Sequence, residues 1–381
     1  MAEATDQHPE KARASKARTS KASFASVATV AQLDQFDEII DVRTEDEFAE
    51  DHIPGAVNYP VLNNAERAEV GTIYKQVSSF DAKKIGAAMV SANIARHLRE
   101  QLLARPREWR PLVYCWRGGG RSGALAHVLG RIGWHTGQLE GGYKNYRRAV
   151  IDELQTLPSR FEWRVVCGMT GTGKSLLLRA LRDQGAQVLD LEELAAHRGS
   201  VLGNLPDAPQ PAQKMFESLV WHALRHFDPA RPVFVESESK KIGKLRVPEK
   251  LIEAMWQSDC LVIEADMAVR VTLLKDEYAH FLGDAALLNT QLDCLRQLHG
   301  GTVINDWQAL ARNQDWDRLT AELLVRHYDP AYTRAINSHY PRLPQATRFA
   351  LSAHTTTAMQ QLASAVLAET PAIAARQQPV T

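Results

Sequence analysis

The sequence has few cysteines and lacks long apolar runs. Four cysteines occur among 381 residues, and no two form a CxxC pair, so neither a disulfide framework nor a cysteine zinc site is expected. No run approaches the roughly 18 apolar residues that cross a bilayer. The N-terminus also lacks the apolar core of a secretory signal. These absences predict a cytoplasmic protein with no membrane partner.

The formal net charge is zero, because 45 Lys and Arg residues balance 45 Asp and Glu residues. This balance argues against a surface that is basic all round, but it allows a local basic face. Residues 105–164 carry eleven basic and five acidic side chains, and residues 11–21 carry five basic and no acidic ones. We interpret residues 1–23 as a disordered basic tail, with an RNA-touching arm as the alternative. Residues 371–381 are expected to form a C-terminal tail.

Apolar and helical segments alternate along the chain, and 45% of its residues are hydrophobic. This alternation predicts an α/β protein with parallel sheets that are covered on both faces. The pattern breaks at Leu157–Ser159, so we expect one domain over 24–156 and a second over 157–370. From Ala285 onward the pattern is mostly helical. Strands are predicted at 37–42, 111–114, 163–167, 187–191, 231–236 and 260–264.

A glycine-rich loop opens the second half. Residues 168–175 (GMTGTGKS) fit G-x-x-x-x-G-K-[ST] between an apolar strand and a Leu-rich helix. Glycines let backbone N–H groups turn inward around a polyanion, and the helix N-terminus adds positive potential. The lysine can reach terminal phosphates, and the serine hydroxyl can ligate a metal ion. The predicted diphosphate-binding residues are Gly168, Gly171, Thr172, Gly173, Lys174 and Ser175.

Carboxylates follow two of the predicted strands. Asp190 ends one strand and Glu236 ends the next, so both are expected at the sheet edge where ligands collect. Either could be the acidic partner of a Mg²⁺ ion. The run 237–243 (SESKKIG) adds one more carboxylate and two lysines, with a solvated loop as the alternative interpretation. Nothing in these segments specifies adenosine, so ATP as the ligand is left open.

A cysteine loop is the second strong signal. Cys115 directly follows the strand 111–114, and three glycines and a helix follow it. Such a loop can wrap N–H groups around the sulfur, while Arg117 and Arg121 would stabilise a thiolate. The same N–H groups would bind an oxyanion beside the sulfur. We predict catalytic roles for Cys115, Arg117 and Arg121. The predicted anion-binding loop comprises Gly118, Gly119, Gly120 and Ser122.

Together with residues 41–43 (DVR) and 52–56 (HIPGA), this loop resembles a rhodanese-type domain, in which the loop cysteine carries sulfur or selenium. The common loop has four residues between Cys and Arg. Here there are five, Trp116 to Gly120, as in phosphatase-like loops, which suits a tetrahedral anion. The glycine-rich loop at 168–175 is a P-loop. When the half of the chain that contains it and the run 191–200 (LEELAAHRGS) are included, the chain over about residues 24–370 closely resembles the tRNA 2-selenouridine synthase family.

The resemblance implies a transferase that acts on wobble uridine 34 of tRNA. In that family the thione sulfur of 2-thiouridine is alkylated by geranyl diphosphate, and selenium from selenophosphate then displaces the S-geranyl group. We accordingly expect the P-loop to hold the diphosphate, with Mg²⁺ as a further expectation. Cys115 is expected to accept selenium as a perselenide while Arg117 and Arg121 hold phosphate oxygens. The implied partners are tRNA and an enzyme that supplies selenophosphate.

Contacts to tRNA are predicted around the cysteine loop. Lys144, Arg147 and Arg148 lie in the basic segment and could contact phosphates with salt-dependent affinity. Trp116, inside the loop, could stack on an unpaired anticodon base. Trp134 and Tyr146 are interpreted as core residues.

Three other functions stay open at this point. One is an ATP-dependent rhodanese-type sulfurtransferase. Another is a C-x5-R phosphatase-like domain fused to a small-molecule kinase, although Tyr114 precedes the cysteine where thiol phosphatases usually have His. The third is a non-enzymatic module that senses a nucleotide.

Overall fold

The structure of the protein is a computed structural model, and it describes residues 25–206 and 208–370. The predicted tails at 1–23 and 371–381 lie outside the described residues. The described residues form two parallel sheets flanked by helices, which confirms the predicted α/β class. Within the described ranges, no helix combines the length and apolar character needed to cross a bilayer.

The first sheet has five parallel strands in the order β1-β5-β4-β2-β3. Its central strand is buried along its whole length, which is why it appears in the sequence as a continuous apolar run. The strands are β1 (Ala25–Ala28), β2 (Glu38–Asp41), β3 (Val57–Asn58), β4 (Pro111–Tyr114) and β5 (Thr136–Leu139). The helices are α1 (Glu45–Glu50), α2 (Asn64–Gln76), α3 (Ser79–His97), α4 (Gly120–Ile132) and α5 (Gly142–Leu154).

The second sheet is also parallel, in the order β12-β11-β6-β8-β7. A two-stranded antiparallel hairpin of β9 and β10 stands apart from it. The strands are β6 (Trp163–Cys167), β7 (Gln187–Leu189), β8 (Val233–Glu236), β9 (Lys241–Ile242), β10 (Leu245–Arg246), β11 (Asp259–Ala265) and β12 (Thr347–Leu351).

Helices cover this sheet and continue beyond it. The leucines of α6 form its buried face, as the Leu-rich pattern predicts. The helices are α6 (Lys174–Asp183), α7 (Leu191–Leu194), α8 (Gln213–His226), α9 (Glu249–Trp256), α10 (Met267–Glu277), α11 (Ala279–Leu282), α12 (Ala285–Asp293), α13 (Arg296–His299), α14 (Gly301–Arg312), α15 (Trp316–Leu323), α16 (Asp329–His339) and α17 (Thr356–Glu369). Short 3₁₀ segments lie at Val30–Gln35, Leu157–Arg160 and Leu343–Gln345, and π-helical turns at Leu98–Leu102 and Leu324–Tyr328.

One hydrophobic core extends across the predicted boundary at Leu157–Ser159. Tyr146 of α5 packs edge-on against Trp221 of α8, with ring centroids 5.4 Å apart, and both side chains are fully buried. The Trp221 indole N–H donates to Glu153 at 2.9 Å. Helices from the two sequence halves therefore share one core.

Candidate functional site

The cysteine loop leaves β4 at Cys115 and reaches α4 at Gly120. The Ser122 hydroxyl donates a hydrogen bond to Cys115 Sγ at 3.2 Å, and the backbone N–H groups of Arg117, Gly119 and Ser122 also donate to the sulfur. Burial raises the pKa of this thiol, but these hydrogen bonds outweigh burial and hold the pKa below the ordinary value for cysteine. Cys115 is only 4% exposed, yet the loop is arranged to stabilise a thiolate.

Two glycines bring the start of α5 against this loop. Gly142 has φ +59°, and a Cβ there would lie 2.2 Å from the Cys115 carbonyl oxygen. Gly118 has φ +64° and would place a Cβ 2.8 Å from the Leu139 carbonyl oxygen. The backbone N–H of Tyr143 then donates to the Cys115 carbonyl at 2.8 Å. Gly142 supports the loop from outside the motif and was not among the site residues predicted from the sequence.

The two predicted arginines have different environments. Arg117 is exposed, and its side chain has no hydrogen-bond or ion-pair partner among the described residues. Arg121 is half-buried and donates to Glu47 at 2.9 Å. Burial raises the pKa of Glu47, but the Arg121 guanidinium outweighs it and leaves that pKa below its ordinary value. Arg117 is therefore free to reach an anion, whereas Arg121 would have to exchange Glu47 for it.

Three of the four predicted tRNA contacts face solvent. Trp116 is 39% exposed, with its ring centroid 5.2 Å from that of Tyr143, and Lys144 and Arg148 are exposed. Arg147 is instead half-buried, donating to the Lys214 carbonyl at 3.1 Å and pairing with Glu217. Arg147 thus connects α5 to α8 in this structure. Trp134 is only half-buried, and its indole N–H donates to the Pro106 carbonyl at 2.8 Å.

The P-loop has the backbone that its motif predicts. Gly171 and Gly173 both have φ +80°, which favours glycine. Lys174 Nζ donates to the Gly168 carbonyl at 2.8 Å, and the Gly168 N–H donates to the Tyr332 hydroxyl at 2.7 Å. The Thr172 hydroxyl donates to the Met169 carbonyl at 2.9 Å and so braces the turn. The loop is preformed, with its lysine folded over its own carbonyl groups.

A group of carboxylates lies beside the P-loop. Ser175 donates to Glu192 at 2.8 Å, so the structure adds Glu192 to the predicted Asp190 and Glu236. Glu236 Oε1 accepts the Glu192 N–H at 2.8 Å, and Oε2 is buried without a hydrogen-bond partner among the described residues. Burial, and then the charges of Asp190 and Glu192, raise the pKa of Glu236 well above its ordinary range. Asp190 itself accepts the Glu193 N–H at 2.9 Å as the N-cap of α7.

No described group of three or more His, Cys, Asp or Glu side chains could hold a metal ion by itself. The residues present nevertheless fit a Mg²⁺ ion in a P-loop. Such ions use a loop hydroxyl and one or two carboxylates, with phosphate oxygens and water in the remaining positions. Ser175 and Glu192 provide that set, and the Glu236 side chain lies next to it, accepting the Glu192 backbone N–H.

A cavity of about 850 Å³ opens above the P-loop. Its floor includes Lys174 and Ser175, and its walls carry several tyrosines. Tyr278, Tyr328, Tyr332 and Tyr340 form those walls, and Lys240, Lys241, Trp256 and His339 also line the cavity. The phosphate-binding loop and the tyrosines line one cavity. This cavity suits a ligand that joins an anion to an apolar or aromatic group. None of the residues that line the cavity comes from the cysteine loop, so the two predicted sites are separate.

Comparison with known proteins gives consistent matches for both halves. A family model described as "Rhodanese-like domain" matches residues 26–149. One described as "tRNA 2-selenouridine synthase AAA domain" matches residues 161–293. These matches lie on either side of the predicted domain boundary.

Curated relatives match across most of the chain. A tRNA 2-selenouridine synthase of Shewanella denitrificans is 32% identical over 347 residues, covering 80% of this chain and 90% of the relative. That of Aeromonas salmonicida is 34% identical over 340 residues, with 80% and 89% covered. That of Nitrosomonas europaea is 36% identical over 244 residues, and this match spans 63% of each chain, less than two thirds of that relative's length.

Proposed function

Because the chain belongs to the tRNA 2-selenouridine synthase family, we propose that it converts 2-thiouridine to 2-selenouridine at the wobble position of tRNA. The proposed reaction has two steps, S-geranylation with geranyl diphosphate and then replacement of the S-geranyl group by selenium. The observation that carries the proposal is the pairing of a thiolate-stabilising loop with a phosphate cradle whose cavity has aromatic walls.

The first step takes place in the P-loop cavity. The thione sulfur attacks the first carbon of the geranyl group, a carbon–sulfur bond forms, the carbon–oxygen bond to diphosphate breaks, and the base loses its N3 proton to water. Lys174 and the loop amides hold the departing diphosphate, while the tyrosine walls accommodate the apolar chain. Mg²⁺ on Ser175 and Glu192 would neutralise negative charge on the leaving group.

Alkylation prepares the base for the second step. A thione is a poor leaving group, whereas an S-alkyl group leaves as a thiolate, and alkylation makes carbon 2 more electrophilic. A selenium nucleophile then adds at carbon 2, the carbon–selenium bond forms, the carbon–sulfur bond breaks, and geranylthiol departs.

Cys115 prepares selenium for that step. Attack of its thiolate on the selenium of selenophosphate would give the perselenide expected from the sequence, but it would expel phosphite, which is two electrons more reduced than phosphate. Attack on phosphorus forms a sulfur–phosphorus bond, breaks the phosphorus–selenium bond and releases selenide, the nucleophile that the second step needs. Water then regenerates the thiol and releases phosphate. We propose attack on phosphorus, with the loop amides and the exposed Arg117 as donors to the phosphate oxygens.

The two steps can be tested separately. The full chain is incubated with thiolated tRNA, geranyl diphosphate and selenophosphate, each omitted in turn, and the nucleosides are identified by mass spectrometry. We expect Lys174→Ala to lose geranylation but to selenate tRNA that was geranylated beforehand. We expect Cys115→Ser to geranylate normally but to form no selenouridine. Lys250→Ala and Cys294→Ser serve as controls, because both residues are exposed and neither belongs to either site.

The outcomes separate the alternatives. Geranylation that persists in Lys174→Ala would remove the diphosphate assignment. Sulfur transfer that depends on ATP but not on geranyl diphosphate would replace the proposal by the sulfurtransferase alternative. Mass analysis of the Cys115 peptide after exposure to selenophosphate alone distinguishes an added phosphoryl group, as proposed, from an added selenium atom.

A further inference from the structure

A short hairpin beside the P-loop cavity carries unpaired positive charge. The strands β9 and β10 pair through a two-residue loop, Gly243-Lys244, with Leu245 opposite Ile242. Because side chains alternate along a strand, Ile242 and Leu245 are buried while the basic side chains point outward. Four exposed cations of the hairpin and the residue before it form no ion pair with a described residue: Lys240, Lys241, Lys244 and Arg246.

Two glutamines fix the hairpin in place. Gln210 accepts the Lys244 N–H at 2.9 Å and donates to the Ile242 carbonyl at 3.0 Å. Gln213 accepts the Arg246 N–H at 2.8 Å and donates to the Arg246 carbonyl at 2.9 Å. The basic side chains are therefore presented by an ordered backbone, which lowers the entropy cost of using them in binding.

An aromatic platform adjoins these cations where they line the cavity. The Trp256 ring lies 4.3 Å from the His339 ring at an angle of 32°, and Lys240 Nζ is 5.2 Å from the Trp256 centroid. All three residues line the same cavity as Lys174 and Ser175. Aromatic and histidine side chains beside cations are the combination that receives unpaired RNA bases.

We propose that this region, formed by Lys240, Trp256, His339 and the hairpin, is the entrance through which an unpaired pyrimidine nucleotide of tRNA reaches the P-loop cavity. The base stacks at Trp256 and His339, and the hairpin cations contact the phosphates on either side of it. This inference rests on the proposed function, which makes tRNA the substrate, and adds a second RNA contact region to the one predicted around the cysteine loop.

Replacing the Lys240 contact on the Trp256 ring by a stacked nucleobase is favourable on physical grounds. Lys240 makes an exposed cation–π contact with the Trp256 ring. Such a contact is weaker than the stacking of a nucleobase on the same ring. The flexible stem of Lys240 lets it turn from the ring to a phosphate as the base arrives. Since the cysteine loop does not line this cavity, contacts at that loop alone would not place a base over the P-loop.

The salt dependence of tRNA binding tests the hairpin. Affinity of the full chain for thiolated tRNA is measured by fluorescence anisotropy at several salt concentrations. We expect Lys244→Ala/Arg246→Ala to bind more weakly and to lower the salt slope by about 1.4, since each phosphate contact to a single strand contributes about 0.7. The control Lys250→Ala/Arg326→Ala removes the same charge from side chains paired with Glu253 and Glu322 and should leave the slope unchanged.

A second pair of variants tests the platform. Trp256→Ala should weaken tRNA binding about tenfold, the effect of losing one stacked base, and Trp256→Phe should restore most of it. Because Trp256 also packs against the core, circular dichroism of each variant checks the fold. Lys240→Ala, at an exposed position, tests the same contact without disturbing the core.

Photocrosslinking locates the base directly. tRNA with 4-thiouridine at the wobble position is irradiated on the wild-type chain, and crosslinked peptides are mapped. Crosslinks within residues 237–246, at Trp256 or within residues 334–340 support the inference. Crosslinks confined to residues 115–148, with an unchanged salt slope for Lys244→Ala/Arg246→Ala, would overturn it while leaving the proposed function intact. A wild-type chain that neither binds nor modifies tRNA would instead refute the proposed function.

Discussion

Replacing Ser122 by alanine should make the Cys115 thiol less reactive near neutral pH and more reactive at high pH. The Ser122 hydroxyl is the hydrogen-bond donor that contributes most to the lowered pKa of this thiol. Removing it favours the neutral thiol. Among the described residues, its other partners are the Gly119 carbonyl at 3.3 Å and the Gln138 amide at 3.0 Å, so the loop loses few other hydrogen bonds.

The expected change in the reaction rate of the Cys115 thiol follows from two opposing effects. A hydrogen bond to a charged group contributes about 1.5–3 kcal/mol, and the lower figure reduces the thiolate population about tenfold below the pKa. A thiolate of higher pKa is also a better nucleophile, with a Brønsted coefficient of about 0.4–0.5 toward disulfides. This offsets roughly half of the loss on a logarithmic scale. The net rate should fall about threefold at neutral pH and rise about threefold once both proteins are fully ionised.

The assay is the rate of reaction with a small aromatic disulfide across a range of pH. Both proteins carry Cys294→Ser, because Cys294 is the exposed cysteine among the four. The reaction is followed by mass analysis of the Cys115 peptide, because Cys115, Cys167 and Cys260 are all buried. The reasoning requires the two pH–rate curves to cross. A variant that is slower at every pH would indicate damage to the loop, and coincident curves would show that the Ser122 hydroxyl does not stabilise the thiolate. Ser26→Ala, at an exposed serine whose hydroxyl donates to the Thr136 carbonyl, is the matched control.

Two further predictions concern stability. Gly142→Ala should lower the free energy of unfolding in urea by more than about 2 kcal/mol, because its Cβ would meet loop backbone at 2.2 Å and its φ is +59°; Gly55→Ala, at φ +83° with no neighbour within 4 Å, should cost clearly less. Burial and then the charge of Glu192 raise the pKa of Glu238 to about 8, above its value in the unfolded chain. Ionisation of Glu238 therefore opposes folding, and the free energy of unfolding falls as pH rises from about 4.5 toward 8. Glu238→Gln should therefore show a smaller loss of unfolding free energy between pH 5 and pH 8, and parallel curves for the two proteins would contradict this assignment.

The fold was largely predictable because interior strands of both sheets are buried on both faces. β4 and β8 are buried throughout, so each appears as an unbroken apolar run that local sequence reveals. The strand β12 was missed within a region predicted as mostly helical. Four of its five residues are exposed or half-buried, and only its parallel pairing with β11 at the sheet edge makes it a strand. Nothing within five residues carries that information.

The site was predictable where its chemistry lies in one contiguous segment. Both loops are local motifs whose backbone conformation follows from their glycines. The partners that come from elsewhere were not predictable. Glu192 meets Ser175 from a different strand–helix connection, and Glu47 reaches Arg121 across 74 positions of sequence. Arg147, predicted to contact RNA, is instead paired with Glu217 of α8. Long-range pairing of this kind depends on tertiary packing rather than on a motif.

The contacts between the halves bear on how one base could use two separate sites. Asp51 is fully buried and accepts the Tyr143 hydroxyl at 2.7 Å and the Ser218 hydroxyl of α8 at 2.8 Å, while Tyr143 itself supports the cysteine loop. Parting the halves would break the Ser218 contact and expose apolar surface on Tyr146 and Trp221, at a cost of roughly 1.5–3 kcal/mol for each large side chain. The halves are therefore held in one arrangement, and the cavity and the cysteine loop stay apart. The proposed two-step reaction therefore requires the nucleoside to leave the cavity after alkylation and to move to the cysteine loop, because closure of one half on the other does not enclose both sites.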